Sequence, residues 1–371
     1  MKFGIDATVT AQTRIVGISR FVVNLIRGLA AIDPDGEYYL FYRPRALKRP
    51  HRIWRPRNSR FHIRLIQEPF NRRLFRTLDA YHATYQRLPA YDDLVPYLGS
   101  LHDIFYLSRP DMGSRRTRER WQRRYRDVAQ RSRLIMTLSE FSKNEIVRLL
   151  GIDAGRVRVV PLAPSPGYVP QDQRTVAFVR RRYRLTQPYI LFGGGFGRRK
   201  NLVSALRAFA LALPRLPADM CFGISGGQGP TESEARAFVR TAGLSRRVTF
   251  LGFVPDADYP GLMTGSLLFF FPSLLEGFGL PVLEAMACGV PVVTSATTSL
   301  PEVCGGAARL IDPSDDAQMA CALVELAQHP GLRRELRRAG MQRARAFTWR
   351  RVAETVLALY REVAEPARRQ R

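Results

Sequence analysis

Glu276-Gly277-Phe278-Gly279-Leu280-Pro281-Val282-Leu283-Glu284 sets two carboxylates around a pair of glycines and a proline. Just upstream, Leu267-Leu268-Phe269-Phe270-Phe271 is short and wholly apolar, the pattern of a strand buried on both faces. Pro281 suits the first position of a helix, Gly289 its end, and Val290 to Thr294 the strand that follows. The order strand, glycine loop, helix, strand predicts a parallel sheet, whose ligands sit outside the carboxyl ends of the strands. Gly277 and Gly279 let the backbone come close to a ligand, and the helix start offers N–H groups to an anion. Glu276 falls in the loop and Glu284 in the first helical turn, where carboxylates accept hydrogen bonds from hydroxyls. The expected ligand carries phosphate and hydroxyls together, as a nucleotide sugar does.

A second glycine loop lies upstream. Tyr189 to Phe192 reads as a strand, Gly193-Gly194-Gly195-Phe196-Gly197 as a tight turn, and Asn201 as the opening of a helix. Arg199 and Lys200 place positive charge where a diphosphate would sit, with Arg198 beside them as the other candidate to turn inward. The dinucleotide spacing G-x-G-x-x-G is not met. Met220 to Ile224 leads into Ser225-Gly226-Gly227-Gln228-Gly229 and a helix from Glu232, and Val248 to Phe253 follows.

The first half repeats the same alternation. Strand-like runs fall at 2–7, 38–42, 61–66, 80–84, 94–101, 134–138 and 157–162, with helix-like stretches at 19–31, 116–130 and 139–150. Alternating strands and helices predict a doubly wound sheet. Pro161, Pro164, Pro166 and Pro170 break the pattern and mark a linker. At 371 residues the chain suits two domains. The expected division is 1–168, a linker 169–187, and 188–347, with a last helix over 348–371 packing back on the first domain. The start runs straight into a strand, which predicts no signal peptide. No apolar run is long enough to span a bilayer. Cys221, Cys288, Cys304 and Cys321 show no metal-ligand spacing and read as reduced, structural residues of a cytoplasmic protein. Asp92-Asp93 and Asp315-Asp316 read as solvated loop carboxylates.

Of the net charge of +26, residues 1–186 carry +20, densest over 43–76 and 115–133. Three readings of that charge stand: a surface for anionic headgroups and a lipid-diphosphate acceptor, a nucleic-acid surface, and solvated arginine-rich faces. No nucleic-acid-binding motif accompanies it.

The segment around Glu276 resembles the donor-site signature of retaining, two-domain glycosyltransferases of the GT-B group often called family 4, written E-G-F-G-L-P-x-L-E-A-M-A-x-G-x-P-V-V. The match runs through Glu276, Gly277, Phe278, Gly279, Leu280, Pro281, Leu283, Glu284, Ala285, Met286, Ala287, Gly289, Pro291, Val292 and Val293. Arg199-Lys200-Asn201 matches the family's R-K-N, whose basic pair grips the donor diphosphate; Gly197 and Arg198 stand where the family usually has Glu-Pro. His102-Asp103 matches its H-D near the transferred sugar and acceptor. Val16-Gly17-Ile18-Ser19-Arg20 resembles T-G-I-G-R, a loop bordering acceptor and diphosphate. Ser299-Leu300-Pro301-Glu302 and Phe347-Thr348-Trp349 match its S-L-P-E and F-S-W and read as structural.

The resemblance implies two Rossmann-like α/β domains facing a central cleft, with donor in the second and acceptor in the first. It assigns the donor to Gly194, Gly195, Arg199, Lys200, Gly277, Phe278, Gly279, Leu280 and Glu284. Gly17, Arg20 and Asp103 fall on the acceptor side, and His102, Arg199, Lys200 and Glu276 at the chemistry. It implies no metal and no cofactor. GDP-mannose is the first expectation for the donor, with UDP-glucose or another UDP-sugar as the alternative. The expected acceptor is a glycan or a polyprenyl-diphosphate-linked oligosaccharide at the inner membrane face. A non-catalytic protein bound to nucleic acid or membrane is the competing class.

Overall fold

The computed structural model describes residues 1–11, 17–44, 46, 54, 56–67, 70–91, 94–109 and 111–368, the side chains of 366–368 excepted. Val16, Asp92 and Asp93 lie outside the described residues. The chain forms two units, one of Met1–Leu162 with Thr348–Arg371, the other of Ala163–Phe347.

The first unit holds, among the described residues, strands β1 (Lys2–Asp6), β2 (Glu37–Tyr42), β3 (Phe61–Leu65), β4 (Ala80–Ala83), β5 (Tyr97–Ser100), β6 (Leu134–Thr137) and β7 (Val157–Val159). They pair in parallel in the order β3-β2-β1-β4-β5-β6-β7. The strand order reverses at β1 and β4, so the carboxyl ends of β1, β4 and β5 mark the place where such sheets bind ligands. Helix Trp349–Arg368 completes this unit. Its buried residues Val352, Ala353, Val356, Leu357, Tyr360, Val363 and Ala364 recur at helical spacing and pack on helix Ile18–Ile32 and β4. Tyr360 bonds His82 Nδ1 at 2.8 Å, while His82 Nε2 meets Ser100 Oγ at 2.7 Å. His82 is fully buried, and burial first, then the neighbouring His102, pushes its pKa down to about 3.

The second unit holds β8 (Tyr189–Phe192), β9 (Cys221–Ser225), β10 (Val248–Gly252), β11 (Leu268–Phe271), β12 (Val292–Ser295) and β13 (Arg309–Ile311), parallel in the order β10-β9-β8-β11-β12-β13. Its reversal falls between β8 and β11, the two strands that feed the glycine loops. Leu268 to Phe271 is buried throughout, as a strand covered on both faces must be. Phe270 joins Leu206, Phe209, Phe222 and Leu323 in one apolar cluster.

The stretch 169–187, expected as a linker, contains helix Gln173–Arg182, and it packs on helix Tyr259–Gly265 within the second unit. Asp172 caps it by accepting from the Thr175 N–H at 2.8 Å, and buried Val179 faces inward. Asp315 is likewise a cap, accepting from Gln318 N, and Asp316 pairs with Arg207 at 2.5 Å. Cys288 and Cys304 are buried, which pushes both thiols up to about 12; Cys221 is half-buried, and Cys321 is exposed rather than enclosed. Among the described residues no helix is long and apolar enough to cross a membrane.

Candidate functional site

The loops after β8, β9 and β11 build the second unit's site. The first two loops touch backbone to backbone. Gly195 N donates to Ser225 O at 3.1 Å, and a Cβ on Gly226 would stand 2.1 Å from Gly195 Cα, at a φ of +153°. Only a residue without a side chain fits there. After Gly197 the chain makes one 3-10 turn, Arg198–Lys200, and Asn201 takes a left-handed φ of +61° before helix Leu202–Ala212. The Asn201 amide donates to Pro313 O at 2.6 Å, which holds that turn in place. This turn settles which arginine faces inward. Arg198 is exposed, while Arg199 and Lys200 both reach Glu276.

Glu276 is the hub. Its Oε1 accepts from Lys200 Nζ at 2.6 Å, Arg199 Nη1 at 2.7 Å and Ser273 Oγ at 2.7 Å. Lys200 Nζ also stands 4.5 Å from the centre of the Phe271 ring. Burial would raise the Glu276 carboxyl, but the Lys200 and Arg199 charges and these hydrogen bonds outweigh it and hold the pKa at about 2. The carboxylate is therefore ionised at neutral pH, and two cations surround one anion. The Arg199 side chain keeps 39% of its surface exposed, so the cluster reaches solvent on that side.

The loop itself is clamped from the next strand. Ser295 Oγ donates to Ser273 O at 2.7 Å and Ser299 Oγ to Glu276 O at 2.9 Å. Gly279, at φ +101°, caps helix Leu280–Ala287. Since that helix begins at Leu280, Pro281 is its second residue and Glu284 opens the second turn, not the first. Glu284 is buried at 2% exposure, and its Oε1 accepts from Ser165 Oγ at 2.8 Å. Gly277, Phe278 and Leu280 complete the loop; Phe278 is buried and meets the Phe347 ring edge-on at 6.1 Å.

In the first unit, helix Ile18–Ile32 starts at Gly17, whose φ is +48°. Ser19 lies inside the helix and donates to Val9 O at 2.9 Å. Arg20 sits half-buried on the first turn. One residue on, Phe21 sets its ring edge against His102 at 5.3 Å. His102 follows β5 by two residues. Its Nε2 stands 3.0 Å from Thr84 O, and since a carbonyl only accepts, Nε2 carries the proton and Nδ1 is the bare acceptor. Nδ1 is buried with no hydrogen-bond partner among the described residues. Burial lowers the His102 pKa, so the ring is neutral. Asp103 is exposed and accepts from Phe105 N at 3.2 Å. The basic run at 115–133 forms helix Arg115–Arg131, on which Arg115, Arg116, Arg120, Arg123 and Arg126 are exposed.

Of the residues singled out in the sequence, Arg199, Lys200 and Glu276 meet in one cluster, with Gly194 lying over the Lys200 side chain. Gly17, Arg20 and His102 gather around the first turn of one helix. Ser299, read as structural from its S-L-P-E match, holds the Glu276 carbonyl, whereas Ser273, Ser165 and Ser295 escape a sequence reading because their partners lie elsewhere in the fold and no local pattern names them.

Residues 174–343 match the family model described as "Glycosyl transferases group 1", and residues 15–163 match "Glycosyltransferase Family 4". The chain is 29% identical to O-antigen chain mannosyltransferase B of Escherichia coli, over 96% of this chain and 99% of that one. Sucrose-phosphate synthase of Thermosynechococcus elongatus superposes with a TM-score of 0.73 at 20% identity, covering 98% of each chain. Anabaena Alr3699/HepE, solved with UDP and glucose, does so with a TM-score of 0.72 at 18% identity, covering 96% of this chain and 98% of that one. At such identities the two structures speak for the fold alone.

Proposed function

We infer that this chain, which belongs to the family 4 glycosyltransferases and is a hexosyltransferase of GT-B fold, moves mannose from GDP-mannose onto a lipid-linked glycan with retention of configuration. One observation carries the reading: Arg199 and Lys200 converge on a buried, ionised Glu276 at the strand-order reversal of the second unit. Arg199 and Lys200, held together by Glu276, place two cationic side chains where the family's diphosphate sits, beside carboxylates suited to sugar hydroxyls.

In the reaction the bond from the sugar's anomeric carbon to the diphosphate oxygen breaks, and its electron pair leaves with GDP. Positive charge develops on the sugar as negative charge grows on the leaving oxygens. Arg199 and Lys200, already fixed by Glu276, stabilise that change more than the ground state, each by about 2–4 kcal/mol of barrier. The acceptor hydroxyl oxygen bonds the anomeric carbon, and its proton passes to a leaving phosphate oxygen. Neutral His102 offers its bare Nδ1 to a hydroxyl on the acceptor side, beside Gly17, Arg20 and Asp103. Gly277, Gly279 and Glu284 line the donor.

The Escherichia coli relative's name supports mannose as the sugar and O-antigen chain assembly as the setting. A polyprenyl-diphosphate-linked acceptor at the inner membrane face suits the exposed arginines of helix Arg115–Arg131, each of which gains about 1 kcal/mol beside an anionic leaflet. The test is incubation with GDP-mannose, UDP-glucose and a lipid-linked oligosaccharide, with the product anomer read by NMR. An α-mannosyl product bears the reading out. A β-linked product contradicts retention, and transfer from UDP-glucose alone contradicts the donor.

A further inference from the structure

The proline cluster that reads as a linker has a second property. The chain enters the second unit at Ala163, and the next residues are Pro164-Ser165-Pro166-Gly167-Tyr168. Proline on both sides restrains Ser165: Pro164 fixes its own φ, and Pro166 keeps the residue before it out of the helical region. Tyr168 N closes a turn onto Ser165 O at 3.1 Å. The Tyr168 side chain is buried and meets Tyr259 edge-on at 6.4 Å. The Tyr259 hydroxyl in turn bonds Ser225 Oγ at 2.7 Å, and Ser225 donates to Phe192 O at 3.0 Å. Phe192 and Ser225 end β8 and β9, so this short segment is anchored to the strands that carry the donor loops.

From that fixed position Ser165 Oγ donates to Glu284 Oε1 at 2.8 Å. Glu284 sits near the start of a helix at 2% exposure, where a carboxylate needs donors to remain ionised and in one orientation. We propose that Ser165 is a positioning residue for the donor: it fixes the Glu284 carboxylate in the orientation that receives the nucleotide-sugar hydroxyls. This rests on the donor reading given above. Ser165 touches no reacting atom, so its contribution belongs to donor affinity and not to the chemical step.

The experiment uses the full-length chain as wild type, Ser165→Ala, Ser165→Thr, Glu284→Ala and the Ser165→Ala/Glu284→Ala double variant. GDP and UDP are titrated by calorimetry, and kcat and KM are measured with GDP-mannose. Thermal unfolding checks that each variant is folded. Ser165→Ala should weaken nucleotide binding and raise KM about ten-fold, the loss of one hydrogen bond to a charged group, with kcat within about two-fold. Ser165→Thr, which keeps the hydroxyl, should restore most of the affinity. In the Glu284→Ala background the serine substitution should add nothing further. Wild-type affinity in Ser165→Ala, or an undiminished effect without Glu284, overturns the role of Ser165 and leaves the donor site standing. A wild-type chain that binds neither nucleotide overturns both.

Discussion

Lys200 Nζ stands 2.6 Å from Glu276 Oε1, and the two side chains are only 8% and 9% exposed. A pair so enclosed adds little net stability over a well-packed apolar pair, yet losing one partner leaves a buried charge uncompensated. The same two groups therefore matter to folding and to the chemistry proposed for the site.

Lys200→Met should abolish transfer and also lower stability by about 3 kcal/mol, the lower part of the range for a broken buried pair, since Arg199 remains beside Glu276. Glu276→Gln should abolish transfer as well. Combining the two removes both charges and should recover part of the lost stability with none of the activity. Thermal unfolding and turnover of the three variants check this; a double variant no more stable than Lys200→Met would contradict the pairing.

Acid should remove the contribution of Glu276 gradually. Its pKa of about 2 lies below the ordinary value of 4.5, so the stabilisation is fully present above pH 4.5 and is lost as pH falls toward 2. The difference corresponds to about 3 kcal/mol. The stability gap separating wild type from Glu276→Gln should shrink by about half on going from pH 7 to pH 3. Denaturant unfolding at the two pH values measures it.

His82 and His102 act in the same direction, though through burial of the neutral ring rather than pairing of a charge. Both are buried, and both have pKa values lowered from 6.5, His82 to about 3. The unfolded chain takes up protons below pH 6.5 that the folded first unit refuses, so that unit loses stability as pH falls. Between pH 6.5 and about 3, His82 contributes about 1.4 kcal/mol per pH unit, and His102 adds to the slope in the same direction. Trp54, Trp121 and Trp349 all lie in the first unit, so tryptophan fluorescence follows it alone. His82→Asn should make the pH slope of the first unit shallower; an unchanged slope would contradict the assignment.

Gly226→Ala forces a Cβ against Gly195 Cα at 2.1 Å and should displace the two glycine loops, costing more than about 2 kcal/mol and weakening the GDP binding proposed for them. Gly243→Ala is the control. Its φ of +68° is strained for alanine, but the space around it is open, so about 1 kcal/mol should be lost with GDP binding intact. Equal binding losses in both would contradict the close approach of the two loops.

The strands and the glycine loops were legible because both carry local signals: unbroken apolar runs such as Leu268 to Phe271, and glycines directly after them. The turn at Arg198–Lys200 was not, because three successive basic residues look alike until the 3-10 turn leaves Arg198 exposed and brings Arg199 and Lys200 to Glu276. Glu284 reads as first-turn because Pro281 favours the first helical position, yet Gly279 starts the helix a residue earlier. The helix at Gln173–Arg182 is masked by its arginines, its capping Asp172 being the one local signal. Ser273 and Ser165 depend on contacts made across the fold, which no spacing rule reaches.

The most direct measurement is binding of GDP, UDP and ADP at moderate salt, followed by thermal shift in wild type, Lys200→Met and Glu284→Ala. The proposed function predicts stabilisation of the wild type by GDP above the other two, lost in both variants. Stabilisation by none of the three, or by GDP equally in all three proteins, would contradict a donor site built on Lys200, Glu276 and Glu284.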